Sequence, residues 1–465
     1  MYDSIKSIAC LVAALGLLAC QEPHDAASND GNEAGGKADE PQGGTDGSST
    51  SSSSGVSTDD PSASTGVVGF ELEPSPNVIR VQVSWSPDDG YALGPVKREL
   101  SGTAALLRRA QQVDPLGSFV GVVSDPATGE EILQQTIGIG VSYRELTKSL
   151  TFRFPAFTRT ATFTLFAPDP ETGEPTEVLT ETIEPDSVSM VLPQDVRVTT
   201  IREATAQPAL AVTVYAEGYL EGTEEYFLES AQTLVDVLEN NEFPGIEHME
   251  FTAVFAPSTQ PLGSATDLGF PVPVWDSFLT LYYPYWSSFS RWHHVMYPTD
   301  EERFRDALAQ APYDYPFILT DSSRFWGAAN YNAYTVVPAG TSSFTGLVLH
   351  EFGHYFGLHE EYSSQDTELL FAPSVSEPWS PNMTFQTDVT EIKWASHIDG
   401  EVPIPTPSGQ WPSVGIGAYA GGYAGEDSRS LIPVPDGQCM MSVGSDFCDV
   451  CSAAMHDKIE ADLAP

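Results

Sequence analysis

Positive charge is what this chain has least of. Its 465 residues carry 20 Lys+Arg against 65 Asp+Glu, a formal net charge of −45. Such an excess repels polyanions, so neither nucleic acid nor an anionic membrane surface is expected as an electrostatic partner. Gln21 to Gly66 holds nine acids and one lysine, so most of the excess lies elsewhere, where a solvated acidic surface accounts for it. Long apolar runs are also lacking. Ile8 to Ala19 is too short to span a bilayer as a mature helix, and no later run reaches spanning length. Cysteine is scarce, with five in the whole chain, two of them in the first 20 residues.

Those 20 residues read as a targeting segment, with Lys6 as a weak positive end. They close on Leu17-Leu18-Ala19-Cys20, which resembles the bacterial lipoprotein box, so Cys20 is the expected lipidation site. Gln21 lacks the aspartate associated with inner-membrane retention. The mature chain is thus expected to be an exported lipoprotein of the outer membrane or cell surface, touching the membrane through its lipid alone. Residues 21–65, rich in Gly, Ser, Asp and Thr, bury too little to offset ordering and read as a flexible tether. Cys439, Cys448 and Cys451 remain. In an oxidising compartment the default is one disulfide and one odd thiol. Cys448-Asp449-Val450-Cys451 holds only half the ligands of a structural zinc site, so a disulfide is expected over a second metal.

Two globular units are expected in the remainder. In 66–204, period-two alternation at Ile79, Val81, Val83 and Trp85, at Phe152 and Phe154, and at Ala161, Phe163 and Leu165 predicts half-buried antiparallel strands. Asp125-Pro126-Ala127-Thr128-Gly129 and Asp169-Pro170-Glu171-Thr172-Gly173 read as hairpin tips, with glycine at the positive-φ position. This part carries no catalytic constellation and predicts a β-sandwich-like accessory domain. In 205–465, Ala209 to Tyr215 is a strand covered on both faces. Thr223 caps a helix with the stripe Phe227, Ala231, Leu234, Val235 and Leu238, and Met249 to Phe255 completes a β-α-β crossover. A second helix opens at Thr299-Asp300-Glu301-Glu302 as a capping box. The aromatic stretch 263–297 could line a cleft or cover a core edge. Tyr331 to Val337 is expected as an edge strand, able to pair with an extended peptide, just before a helix capped by Ser342 or Ser343.

That helix carries His350-Glu351-Phe352-Gly353-His354. H-E-x-x-H on a helix sets two imidazoles one turn apart on one face, where both reach one metal ion, and Glu351 beside them, placed to take a proton from water. Imidazole ligands favour zinc over calcium. Gly353 permits close approach of another segment, and Gly357 can end the helix in a left-handed conformation. A third ligand is expected three residues beyond that glycine, at Glu360, with Glu361 second and His359 third in order. These residues together point to hydrolysis of a protein or peptide by a zinc endopeptidase.

Several further motifs carry a resemblance. They are Ala216-Glu217-Gly218-Tyr219, Trp326-Gly327-Ala328-Ala329-Asn330-Tyr331-Asn332, Glu377-Pro378-Trp379-Ser380-Pro381-Asn382-Met383-Thr384, Ile392-Lys393-Trp394, Cys439-Met440-Met441, and Phe447-Cys448-Asp449-Val450-Cys451. With the H-E-x-x-H they make the chain, from about Ala211 to Ile459, similar to the bacterial IgA-peptidase family of metallopeptidases, which belongs with the metzincins. The resemblance implies an α+β fold with a metzincin-like mixed-sheet catalytic domain and Met441 as a methionine floor beneath the zinc ligands. Relatives carry Asp-Glu-Tyr where this chain has Glu360-Glu361-Tyr362. Immunoglobulin cleavage does not follow from membership. A surface binding protein on a catalytically inactive form of the fold is the alternative, and intact Glu351 argues against it. A redox role for Cys448 and Cys451 lacks a thioredoxin-like context.

Overall fold

Alternating apolar residues become strands wherever a facing layer can bury them. In the computed structural model, residues 71–464 are described except 75, 87, 139–148, 170–171, 260, 262–278, 283–294, 299, 324–326, 363–376, 399 and 423–429. The targeting segment with Cys20, the tether, and most of the aromatic stretch 263–297 lie outside the described residues. Among those described, no helix is long and apolar enough to cross a membrane.

The first strands are β1 (Val78–Ser86), β2 (Gly90–Glu99), β3 (Phe119–Ser124), β4 (Glu131–Ile137), β5 (Ser149–Pro155), β6 (Ala161–Pro168), β7 (Pro175–Ile183) and β8 (Ser189–Met190). They form two four-stranded sheets, ordered β5-β1-β2-β8 and β4-β3-β6-β7. Both expected hairpin tips are formed. Gly129 (φ +72°) and Gly173 (φ +75°) donate their amides to the Asp125 and Asp169 carbonyls, each at 2.8 Å. One helix was not expected here. α1 (Ala104–Ala110) is capped by the Thr103 hydroxyl, which accepts from the Leu106 amide.

The remaining strands centre on a six-stranded mixed sheet of β9 (Arg197–Arg202), β10 (Leu210–Glu217), β11 (Met249–Phe255), β14 (Tyr315–Thr320), β15 (Ala328–Asn330) and β16 (Tyr334–Pro338), in the order β15-β16-β14-β10-β11-β9. Between β11 and β14 come a small hairpin, β12 (Leu279–Tyr282) with β13 (Val295–Pro298), and the helix α3 (Glu301–Leu308). β10 is parallel to both β11 and β14, and α2 (Glu224–Asn240) makes the expected crossover between β10 and β11. β9 and β15 are antiparallel to their neighbours. Mixed helices and several sheets make the fold α+β.

Two expectations are corrected. Tyr331 to Val337 does not supply the edge: β16 is paired on both sides, and β15 takes the outer position. The helix after the sheet, α4 (Phe344–Tyr355), starts at Ser343, whose side chain makes no cap bond and instead meets Thr341 Oγ1 at 3.1 Å. In α3 the cap is Asp300, which accepts from the Arg303 amide.

Strand periodicity sends alternate residues of the six-stranded sheet into two cores. Val212, Val214, Phe251, Ala253, Phe317 and Leu319 pack with the α2 stripe and with Val348 and Phe352 of α4. Tyr215, Val254, Ile318 and Val336 share the second core with Ile79, Val81, Phe152 and Phe163 of the preceding sheets and Phe304 of α3. The residues from Phe70 onward therefore form one compact unit. A buried charge cluster crosses the same boundary. Arg80 and Arg153 both bond Glu99, at 2.7 and 3.0 Å, and Arg153 also donates to the Tyr313 carbonyl at 2.6 Å.

Candidate metal centre

Helix α4 is buried along Val348, Leu349 and Phe352, which fixes its rotation against the sheet. His350 and His354 consequently face one place, their Nε2 atoms 3.2 Å apart. Each Nδ1 is occupied by a backbone carbonyl, Met440 O at 2.8 Å for His350 and Leu358 O at 2.7 Å for His354. A carbonyl only accepts, so each ring carries its proton on Nδ1 and turns a bare Nε2 lone pair toward the other. Two lone pairs facing each other across 3.2 Å are unfavourable without a cation. The spacing matches the edge of a tetrahedron with metal–nitrogen bonds of about 2.0–2.1 Å, roughly 3.3 Å. Burial, then the second imidazole, lowers His350 to about 4, and burial also lowers His354. Both rings are neutral at pH 7, the state a metal requires.

The helix ends at Tyr355, one residue beyond His354. Gly357 at φ +91° and the Leu358 amide bonding back to the Gly353 carbonyl turn the chain under the imidazoles. The structure separates the three candidates for the third position. Glu360 Oε1 lies 3.9 Å from His354 Nε2. Burial alone would raise the Glu360 carboxyl, but His354 and His359 hold it well below the usual carboxylate range. His359 points to Glu360 Oε2 at 3.4 Å and packs on Trp379, so it orients the carboxylate. Glu361 faces away. Its Oε1 accepts from Asn382 Nδ2 at 3.0 Å and from the Cys451 thiol at 3.0 Å. Geometry thus places Glu360 with the two histidines and gives Glu361 to another cluster.

Glu351 is buried beside this site. Burial and the Glu360 charge push its carboxyl well above the usual range, a state suited to exchanging protons. Gly327 closes over it, and a Cβ there would stand 2.3 Å from Glu351 Cγ. On the opposite side Gly353 admits Met441, since a Cβ at Gly353 would stand 2.6 Å from the Met441 sulfur. Met441 is fully buried against the helix, and its carbonyl accepts from the Glu361 amide at 2.7 Å.

Sequence reading missed two positioning residues. Asn382 accepts from the His359 amide at 2.9 Å and donates to the His359 carbonyl at 2.8 Å, clamping the loop that carries Glu360. Lys393 donates to the carbonyls of Pro378, Ser380 and Met383 and so fixes the loop that carries Asn382. Both fall inside motifs quoted above, but nothing local marks them as structural. The expected disulfide is not formed: Cys439, Cys448 and Cys451 are free and buried.

No curated protein matches the chain. Residues 199–413 match the model of the family described as IgA Peptidase M64, a stretch that spans nearly all of the six-stranded sheet, helix α4 and the loop that carries Glu360, and over that stretch the chain is similar to that family of peptidases.

Proposed function

We propose that this peptidase is a zinc-dependent endopeptidase in which His350, His354 and Glu360 hold the metal and Glu351 is the general base. The observation that carries this reading is the pair of bare Nε2 atoms 3.2 Å apart, each ring fixed by a carbonyl at Nδ1. When bound, zinc would supply Lewis acidity, making water more acidic and polarising a peptide carbonyl. Glu351 takes a proton from the attacking water as its oxygen bonds to the carbonyl carbon, then delivers that proton to the nitrogen as the C–N bond breaks. Gly327 leaves Glu351 the space to do so, and His359 holds the Glu360 carboxylate in orientation. The Leu17–Cys20 segment supports export and lipidation of the same chain at Cys20.

The test is cleavage of casein or a peptide library by the purified full chain, alone and with chelator, beside the Glu351→Ala variant. Cleavage lost in the variant and with chelator is the expected result. Metal bound without cleavage favours an inactive binding protein, and neither metal nor cleavage overturns the proposal.

A further inference from the structure

Beneath the histidines lies a second group of metal-binding side chains. Glu361, Cys439, Cys448 and Cys451 each offer one ligand atom, and the four atoms all lie within 4.8 Å of one another. Cys439 and Cys451 sulfurs are 3.7 Å apart, close to the ~3.8 Å edge of a tetrahedron with Zn–S bonds of about 2.3 Å. Glu361 is fully buried, and its Oε2 has no hydrogen-bond partner although Oε1 has two. A buried carboxylate oxygen left in this way is costly, and a cation is what compensates it.

The backbone is shaped for the same purpose. The Ser442 and Gly444 amides both donate to the Cys439 carbonyl at 2.9 Å, a turn so tight that a Cβ at Gly444 would stand 2.7 Å from Cys439 N. The Cys448 amide donates to Cys439 Sγ at 3.4 Å, a bond that favours a thiolate. Cys448 is the N-cap of α5 (Asp449–Leu463) and Cys451 lies in its first turn, where the helix dipole also favours negative sulfur.

We propose that Glu361, Cys439, Cys448 and Cys451 bind a second zinc ion with a structural role, distinct from the proposed catalytic zinc. Three sulfur donors and one carboxylate close a four-coordinate site with no position left for substrate. Its effect follows from chain connectivity. Glu360 and Glu361 are adjacent yet face different clusters, while the Met440 carbonyl holds His350 and the Met441 carbonyl holds the Glu361 amide. A second ion would therefore lock the third-ligand loop to the methionine floor.

The test is zinc stoichiometry of the full chain purified without chelator, with far-UV circular dichroism confirming that each variant is folded. Two zinc per chain are expected in the wild type, one in the His350→Ala/His354→Ala double variant, and one in Cys451→Ser. Cobalt exchanged into the double-histidine variant should give thiolate-to-cobalt charge-transfer absorption, absent from the same variant carrying Cys451→Ser. Alkylation without reduction followed by peptide mass mapping should find Cys439, Cys448 and Cys451 all as thiols. A folded double-histidine variant without metal, or a disulfide between any two of the three, overturns the second site. A wild type that holds only one zinc, kept on loss of both histidines and lost in Cys451→Ser, retains this site and removes the catalytic zinc instead, so the two proposals fail separately.

Discussion

At the residue scale, the site depends on small side chains as much as on charged ones. Gly327 lies against α4 and Gly353 within it, and each makes room for a side chain of the site, Glu351 at Gly327 and Met441 at Gly353. Gly327→Ala should displace the Glu351 carboxylate while leaving the two histidines in place. Misplacing a catalytic group by about 1 Å costs on the order of 10²-fold in rate. The expected outcome is a fall of that size in kcat with zinc content unchanged, read by steady-state kinetics and metal analysis. Loss of zinc along with the rate would show instead that Gly327 supports the ligands.

At the element scale, α5 closes the molecule through one acid. Asp462 is fully buried, 2.7 Å from both Lys458 Nζ and the Tyr315 hydroxyl, and 3.6 Å from Arg109 Nε, so it ties α5 to α1 and β14. Burial would raise its carboxyl, but Lys458 and Arg109 hold it below the usual range. A carboxyl depressed in the folded state contributes stability that is full above its unfolded pKa of about 3.9 and is lost as pH falls through the folded value. Asp462→Asn should therefore cost about 3–5 kcal/mol at pH 7 by leaving Lys458 without its carboxylate and Arg109 with Asp314 alone. Urea denaturation should show that deficit narrowing in strong acid, and a deficit independent of pH would contradict the assignment.

Elements of this kind also show what the sequence made legible. The α2 stripe, both Asp-Pro-x-Thr-Gly tips and the H-E-x-x-H face follow from spacing alone, because each is a local pattern with one period. The choice between β15 and β16 as the edge does not, since pairing partners lie outside any local window. Nor does the direction of Glu361, which Asn382 and Cys451 set from 21 and 90 residues away. Compartment alone predicts a disulfide among the cysteines, whereas the turn at Gly444 that gathers them shows only in three dimensions.

For the whole molecule, the shared second core governs how the chain unfolds. One face of the six-stranded sheet is covered by the strands before β9, with Arg153 and Glu99 buried at the join. The described part should melt in a single calorimetric transition. Residues 197–465 produced alone should lack that transition and aggregate, because Tyr215, Val254, Ile318 and Val336 lose their covering layer. Two resolved transitions would show instead that the halves are independent. Under the proposed peptidase function, the length of β15 would set a different property, the stretch of substrate read along this edge. Three residues offer roughly 10 Å of strand. A polypeptide laid against it would gain backbone pairing over about three residues, so on that side kcat/KM should climb as a peptide is lengthened to about three residues and then level off. This flank would act as a short ruler, indifferent to what the chain does farther out.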